Sequence, residues 1–282
     1  MDIKSLLKKI YRTLGLHKVR SFISWEITPY GYFRNYILFP VCGFIRAHLS
    51  ISKNTKEIKG LKEIHNGKRC FIVATGPSLT LEDVNRLKGE ICFGVNSIFR
   101  IFEKTDWRPD YYMILDKGVC DKYNENGYLK PDEFSISKSF INSLCKKSCK
   151  GDKVVYLHTN WLKHVYKFGN LDFKYNPNLV FGLYDFYSVT HAAIQVAIYM
   201  GIKEIVLLGV DNNYLGSKTH FEKTDGDDDF DYQMALTTQN SMDEGYKAIK
   251  EIAEKQNVKI INATRGGRLE VFERVKLEDI VK

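Results

Sequence analysis

The sequence predicts an α/β fold with a doubly wound, mostly parallel sheet of about seven strands. Short continuous apolar runs recur along the chain, as in strands that are buried on both faces. Amphipathic helical stretches separate many of these runs, and polar or glycine-containing turns follow them. The predicted strands are 70–74, 91–95, 111–115, 154–157, 179–181, 205–208 and 258–261. This alternation is typical of a Rossmann-like domain, which we assign to residues 65–282.

The first 64 residues form a separate basic extension in this interpretation. Residues 1–69 contain 14 Lys and Arg but 4 Asp and Glu, a net charge of +10, whereas the remaining residues sum to −2. Apolar positions recur on one helical face over 1–16, and aromatic residues mix with arginines over 20–50. Such a segment is typical of a protein at an anionic membrane surface. The alternative is a helical extension that packs on the main domain or on another subunit of a homo-oligomer.

The charge distribution also bears on the class of partner. An enzyme of nucleic acids more often carries its positive charge along the main cleft, so we expect no nucleic-acid partner. The longest apolar run, 36–45, is too short to span a bilayer and contains Pro40. The six cysteines lack metal-ligand spacing, which indicates reduced thiols and no metal site. The sequence therefore predicts a cytoplasmic protein that is peripheral on the inner face of the cell membrane.

The first predicted strand ends in a sharp Thr-Gly-Pro-Ser turn at 75–78. Thr80, followed three residues later by Asp83, is a helix-capping pair. A strand, a turn of small residues and a helix N-terminus together present free backbone amides and the positive end of a helix dipole. A nucleotide phosphate is the usual ligand of such a turn; a tight turn that binds nothing is the alternative.

Polar residues follow several of the other predicted strands. In an open parallel sheet, ligands bind beyond the carboxyl ends of the strands, so these residues are the site candidates. Ser188 also caps a helix predicted over 189–200, which Gly201 ends. The nucleotide-binding candidates are Thr75, Gly76, Pro77, Ser78, Asn96, Ser97, Asp116, Ser188, Val189, Thr190 and Asn212.

A long polar segment over about 212–243 lies between the sixth predicted strand and the last predicted helix. An insertion of this length beside a site is typical of a lid. The segment contains His220, and a histidine can remove a proton near neutral pH, with a gain of about 10²–10⁴-fold in rate. The catalytic candidates are His220, Tyr214 and Asp211. A solvent-exposed loop histidine is the alternative for His220.

Several of these motifs together resemble a known superfamily. They are residues 72–79 (Ile-Val-Ala-Thr-Gly-Pro-Ser-Leu), 94–97, 188–190 with the alanine-rich helix that follows, and 201–211. The combination is similar to the bacterial sialyltransferases of glycosyltransferase family 42. It is also similar to the set that contains motility accessory factors and archaeal hydroxymethylpterin diphosphokinases, which residues 220–221 and 262–267 resemble most. The resemblance extends over roughly residues 65–275.

The sialyltransferase resemblance implies a metal-independent glycosyltransferase with a CMP-sugar donor, such as CMP-sialic acid, and no required cofactor. It implies that Asn96 contacts the nucleotide, and that Ser188 and Thr190 face its phosphate. His220 would take the proton of the acceptor hydroxyl, and Tyr214 would stabilise the leaving phosphate. With the basic extension, this predicts transfer of a sugar to a cell-surface polysaccharide or a glycolipid, with a lipid-linked acceptor at the membrane.

Two alternatives stay open. The sialyltransferases have Asn where Thr75 and Asp116 stand here, and a second carboxylate beside phosphates repels them unless a cation intervenes. Asp116 and Asp211 together would suit magnesium, as in a pyrophosphokinase of the hydroxymethylpterin diphosphokinase type. The second alternative is a non-catalytic scaffold attached to the membrane. The presence of both the phosphate turn and the lid histidine argues against it.

Overall fold

The computed structural model describes residues 33–160, 175–184, 187–215 and 232–281. Within these residues the α-helices are α1 (Phe39–His48), α2 (Lys53–Gly60), α3 (Leu81–Asn85), α4 (Lys117–Glu125), α5 (Val189–Tyr199) and α6 (Tyr232–Lys255). The strands are β1 (Arg69–Val73), β2 (Ile91–Val95), β3 (Tyr111–Ile114), β4 (Lys138–Asn142), β5 (Val154–Leu157), β6 (Thr159–Asn160), β7 (Leu183–Tyr184), β8 (Glu204–Leu208), β9 (Lys259–Asn262) and β10 (Glu273–Arg274). A π-helical turn, Arg34–Leu38, leads into α1, and a 3-10 helix, Asn96–Ile101, follows β2.

An eight-stranded sheet in the order β10-β9-β8-β1-β2-β3-β4-β5 forms the centre of the described structure. Every neighbouring pair in this sheet is parallel. Two buried apolar clusters take alternate side chains of the central strands, which explains the continuous apolar runs in the sequence. The chain builds β1 to β5 in one direction and β8 to β10 in the other, so the strand order reverses between β1 and β8. The predicted α/β fold is confirmed, with eight strands in the sheet.

Strand β4 is absent from the predicted strands because its sequence is only partly apolar. Phe140 and Ile141 are its two apolar residues, and both are fully buried. Ser139 is also fully buried, and its backbone N–H donates to Lys153 O (2.9 Å). β4 is buried because it lies between two other strands, whereas the pattern of apolar residues in its sequence does not predict a strand.

Residues 179–181, predicted as a strand, form a turn instead. The Asn178 side chain accepts a hydrogen bond from the Val180 N–H (3.1 Å), and the Gly182 N–H donates to Leu179 O (3.1 Å). Side chain-to-backbone bonds of this kind offer the chain an alternative to a strand ladder. Pairing begins only at Leu183, where β7 joins β6 in a separate two-stranded sheet.

The helix predicted over 189–200 is α5. The Ser188 hydroxyl caps it by accepting from the Thr190 N–H (3.2 Å), and Gly201 follows it at φ +86°. All its residues from Thr190 to Tyr199 are buried, because it packs against both the sheet and α6. Residues 232–243, which the sequence assigned to a lid, belong to α6. Residues 216–231 lie outside the described residues.

The basic extension is described from Phe33 onward, and its helix α1 packs on the segment before β7. The Arg46 guanidinium donates to Phe181 O (2.6 Å) and Val180 O (3.3 Å). A β-carbon on Gly43 would lie 2.5 Å from the Phe181 ring, so the two segments approach closely. These contacts fix which side of α1 faces the domain. In the part of the chain that the structure describes, no helix combines the length and apolar character needed to cross a bilayer.

Candidate functional site

The turn at 75–78 joins β1 to the end of β8 at the carboxyl edge of the sheet. The Gly76 N–H donates to Gly209 O (2.8 Å), and the Asp211 carboxylate accepts from the Ser78 hydroxyl (2.7 Å). A β-carbon on Gly76 would lie 2.0 Å from Asp211 Oδ2 and 2.5 Å from Gly209 O, so only glycine fits there. Asp211, predicted as a catalytic residue, therefore holds the turn against the chain that follows β8.

The N-terminus of α3 is occupied by its own capping carboxylate. Thr80 and Asp83 form the expected capping box: Asp83 accepts from the Thr80 N–H (3.0 Å), and the Thr80 hydroxyl accepts from the Asp83 N–H (3.2 Å). Asp83 is fully buried and also binds the Arg265 guanidinium (3.0 and 2.5 Å). The carboxylate of Asp83 thus satisfies the first turn of α3 while Arg265 balances its charge, and phosphate binding at the 75–78 turn stays a prediction.

The N-terminus of α5 faces a cavity at the same edge of the sheet. Ser188, Val189 and Thr190 line this cavity. The Tyr246 hydroxyl, from α6, lies close to the side chains of Ser188 and Thr190, which act to lower its pKa. The Tyr246 ring packs edge-on against His191, with ring centroids 4.1 Å apart. Because α5 is 11 residues long, its first-turn N–H groups and its dipole favour an anion here.

The cavity has a volume of about 70 Å³ and lies beyond the carboxyl ends of β1, β2 and β8. Sites that enclose a whole ligand have about 300–1,000 Å³, so this cavity accommodates one part of a ligand. It coincides with the reversal of strand order between β1 and β8, where open α/β sheets bind their ligands. Its lining residues are Ala74, Thr75, Gly76, Val95, Asn96, Ser188, Val189, Thr190, Gly209, Val210, Asp211, Asn212, Asn213, Tyr214 and Tyr246.

Nine of the 14 site residues predicted from the sequence line this cavity. They are Thr75, Gly76, Asn96, Ser188, Val189, Thr190, Asp211, Asn212 and Tyr214. Pro77 and Ser78 continue the turn without lining the cavity, and Ser97 is buried in the 3-10 helix after β2. His220 lies outside the described residues. The structure thus brings most of the candidates to one place, and their chemical roles stay predictions.

Asp116 lies away from the cavity. It follows β3 and caps α4 by accepting a hydrogen bond from the Val119 N–H (2.9 Å). Strand β3 is three positions from β8, and at about 4.8 Å per strand their ends lie about 14 Å apart. Two carboxylates that share a magnesium ion have oxygens within about 4 Å of each other, since each lies about 2.1 Å from the ion. Asp116 and Asp211 therefore do not fit a shared magnesium site.

Asn96 and Asn212 have the same uncommon backbone conformation, each with φ +49°. Asparagine tolerates this left-handed region better than most residues. The Asn212 Nδ2 donates to Asp243 Oδ1 (2.5 Å), and the Arg268 guanidinium donates to Asp243 Oδ2 (3.1 Å). The Arg268 N–H also donates to Asp211 O (2.8 Å). Helix α6 and the loop after β9 thus hold the chain on which Asn212 stands.

Two tyrosine side chains line the cavity. Burial raises the pKa of Tyr214 to about 12, and the nearby Asp211 carboxylate raises it in the same direction. Burial and the proximity of Tyr214 also raise the pKa of Tyr246. Both hydroxyls therefore stay protonated near neutral pH, and a protonated phenol can donate a hydrogen bond to a phosphate oxygen.

Tyr246 lines the cavity, Asp243 and Arg268 hold Asn212 beside it, and the sequence analysis named none of the three. Tyr246 and Asp243 stand on α6, and Arg268 lies six residues beyond the end of β9, so none of them directly follows a strand or a phosphate turn. Gly267 gives the one readable signal. Its φ is +77° and its β-carbon would lie 2.2 Å from Asp211 O, so the glycine pair at 266–267 marks a close approach to the site.

Residues 47–217 match the model of a protein family described as 6-hydroxymethylpterin diphosphokinase MptE-like, and they make up more than half of the chain. The fold is similar to that of a MAf glycosyltransferase from Magnetospirillum magneticum AMB-1, with a TM-score of 0.48 and 16% identity over 77% of this chain. The similarity covers 35% of that protein, so this chain corresponds to little more than a third of it. No curated protein gives a significant match to the sequence. The family match confirms the superfamily that the motifs indicated, and the chain belongs to the MptE-like family.

Proposed function

We propose that this protein is a glycosyltransferase that moves a sugar from a CMP-sugar, such as CMP-sialic acid, to a cell-surface glycan or a glycolipid. The observation that carries the proposal is the cavity at the reversal of strand order. There the N-terminus of α5, the turn at 75–78 and two tyrosine side chains converge. Backbone amides and hydroxyls of this kind suit the oxygens of a nucleotide phosphate. The resemblance of the motifs to the sialyltransferases supports a cytidine nucleotide.

The proposed reaction joins the acceptor oxygen to the sugar while the bond between the sugar carbon and the phosphate oxygen breaks. The phosphate lies at the N-terminus of α5, next to Ser188 and Thr190. Tyr214 donates a hydrogen bond to the leaving phosphate, which stabilises the negative charge that develops there. His220 takes the proton of the acceptor hydroxyl. Since a sialyl phosphate departs readily through an oxocarbenium-like state, no step of the proposed reaction needs a metal ion.

A magnesium-dependent pyrophosphokinase is the second candidate, because the description of the matching family names 6-hydroxymethylpterin diphosphokinase. Such an enzyme transfers a pyrophosphoryl group, whose charge magnesium neutralises. Asp211 is bound to Ser78, and Asp116 caps a helix three strands away. Among the described residues, no group of three or more His, Cys, Asp or Glu side chains is placed to hold a metal ion. The contacts of these two carboxylates therefore favour the glycosyltransferase.

Calorimetric titration distinguishes these candidates. We expect the purified protein to bind CMP in the presence of EDTA, because amides and hydroxyls rather than a cation meet the phosphate. Binding of ATP only when magnesium is present would replace the proposal with the pyrophosphokinase. Failure to bind any nucleotide or nucleotide sugar in a thermal-shift screen, with and without magnesium, would instead indicate a non-catalytic scaffold.

We also propose that the protein docks on the inner face of the cell membrane through α1 and the turn before it. The side of this segment that faces away from the domain carries large apolar residues, each at least 40% exposed. This apolar stripe consists of Phe33, Ile37, Leu38, Val41, Phe44, Ile45 and Leu49. Positions 37, 41, 45 and 49 recur every four residues, so they share one helical face. An exposed apolar patch of this size marks an interaction site.

Charge favours an anionic lipid surface over a second copy of the chain. Residues 1–52 contain eight Lys and Arg but two Asp and Glu. Anionic lipids attract such a segment by about 1 kcal/mol for each basic residue near the surface. A second copy would instead bring two positively charged segments together, and these repel. Because Arg46 fixes α1 on the domain, the apolar stripe would lie on the lipid while the domain faces a lipid-linked acceptor.

Vesicle flotation tests this membrane contact. The double variant Val41→Glu/Phe44→Glu should bind vesicles that contain phosphatidylglycerol at least about tenfold more weakly, because two apolar side chains become charged. Ile64→Glu is the matched control, since Ile64 is 44% exposed but lies outside the apolar stripe. Unchanged binding by the double variant would contradict the proposal. The proposal would also be contradicted if the wild type formed a dimer in solution and the double substitution dissociated this dimer but left vesicle flotation unchanged.

A further inference from the structure

We infer that Asn212 recognises a hydrogen-bond donor on the ligand, and that Asp243 and Arg268 set the orientation of its amide. The inference rests on the proposed function, because it concerns the nucleotide that the same cavity binds. Asn212 lines the cavity and is 6% exposed. Its Oδ1 is buried and has no hydrogen-bond partner among the described residues. Since leaving a buried carbonyl oxygen unpaired is unfavourable, a ligand group that donates to it is the expected partner.

The contacts of Asn212 leave its amide one orientation. A carboxylate only accepts hydrogen bonds, so Asn212 must turn its NH₂ group toward Asp243 and its oxygen elsewhere. Asp243 is itself held, because its second oxygen accepts from the Arg268 guanidinium. The Arg268 backbone is held in turn by its bond to Asp211 O. Asp243 and Arg268 are therefore positioning residues, and they give the cavity an acceptor rather than a donor at this point.

Two parts of a cytidine nucleotide carry a suitable donor. One is the 4-amino group of cytosine, and the other is a hydroxyl of the ribose. Uracil has a carbonyl oxygen in place of the amino group, so two hydrogen-bond acceptors, this oxygen and the Asn212 Oδ1, would then face each other. A site built around one hydrogen bond discriminates strongly against a ligand that cannot make it. The group that Asn212 recognises can therefore be identified from the ligands that the protein rejects.

The substitution Asp243→Asn should replace the hydrogen-bond acceptor that Asn212 presents to the cavity with a hydrogen-bond donor. The new amide oxygen still accepts from Arg268, so its NH₂ group faces Asn212. Asn212 must then turn its oxygen toward position 243 and its own NH₂ into the cavity. We expect the affinity for CMP, measured by calorimetry, to fall about tenfold, because a donor then faces the donor of the ligand.

Two further variants make this test specific. The exchanged pair Asn212→Asp/Asp243→Asn returns an acceptor oxygen to the cavity, and it should restore the wild-type preference among nucleotides, although the carboxylate placed near the phosphate lowers the affinity for all of them. Glu244→Gln is the matched control, because it makes the same chemical change one residue along α6, where Glu244 is exposed and pairs with Lys247. It should leave the affinity unchanged. Circular dichroism and thermal unfolding verify that each variant is folded.

Titration with CMP, UMP and 2′-deoxy-CMP identifies the recognised group. If it is the amino group, the wild type prefers CMP to UMP by about tenfold or more and Asp243→Asn loses this preference. If it is the 2′-hydroxyl, the preference that disappears is the one for CMP over 2′-deoxy-CMP. An Asp243→Asn variant that keeps the affinity and both preferences of the wild type would overturn this inference and leave the proposed function intact. A wild type that binds none of the three would overturn the proposed function, and this inference with it.

Discussion

Replacing Gly76 with alanine should lower the free energy of unfolding by about 3 kcal/mol and abolish nucleotide binding. The added carbon would lie 2.0 Å from Asp211 Oδ2 and 2.5 Å from Gly209 O, much closer than van der Waals contact allows. The Asp211 side chain could move only by giving up its bond to Ser78, and Gly209 O belongs to the backbone. The clash therefore separates the turn from β8 at the point where both line the cavity.

The matched control is Gly60→Ala. Gly60 ends α2, and a β-carbon there would have no atom within 4 Å apart from its chain neighbours and its own helix backbone. Its substitution should change the free energy of unfolding by about 0.5 kcal/mol or less. Urea denaturation measures both variants, and CMP titration follows the binding. A Gly76→Ala protein as stable as Gly60→Ala, with wild-type affinity for CMP, would show that the turn does not have the tight packing described above.

Replacing His220 with alanine should lower turnover by about 10²–10⁴-fold and leave the affinity for the donor nearly unchanged. In the proposed reaction His220 accepts the proton of the acceptor hydroxyl, whereas α5 and the tyrosines hold the phosphate. Hydrolysis of CMP-sialic acid to CMP measures the effect without a known acceptor, because water then takes the place of the acceptor hydroxyl.

The control for this variant is His48→Ala, which removes an exposed histidine at the end of α1, remote in sequence from every residue that lines the cavity. It should hydrolyse the donor at the wild-type rate. If His220→Ala also hydrolyses CMP-sialic acid at the wild-type rate, His220 is not the general base. A loss of donor affinity in His220→Ala would instead assign it to binding.

The sequence predicted the central strands well because their surroundings leave a clear pattern. β1, β2, β3 and β8 are covered on both faces, so nearly every residue in them is apolar. β4 is covered as well, but it contains Lys138, Ser139 and Asn142, whose polarity hides it. The opposite error at 179–181 arose because an apolar triplet is also compatible with a turn. There the Asn178 side chain binds the backbone and prevents a strand.

The position of the site was predictable in part. Parallel strands end at one edge of a sheet, so residues that follow β1, β2 and β8 were expected to meet, and Gly76, Asn96 and Asp211 line the same cavity. Asp116 also directly follows a strand, but this strand, β3, lies three positions from β8 in the sheet. The order of the strands in the sheet determines which strand ends lie next to each other, and no local sequence pattern encodes that order. The contacts of Asp243 and Arg268 likewise depend on how α6 and the last loop pack.

The cavity is built from two stretches of chain, and only the first lies within the region that matches the family model. The region that matches the family model stops at residue 217 and includes the turn, Asn96 and Asn212. Tyr246, Asp243 and Arg268 come from beyond it. The contacts that fix the Asn212 amide thus lie in the carboxy-terminal quarter of the chain. Residues 47–217 alone therefore do not determine how the Asn212 amide is oriented beside the cavity.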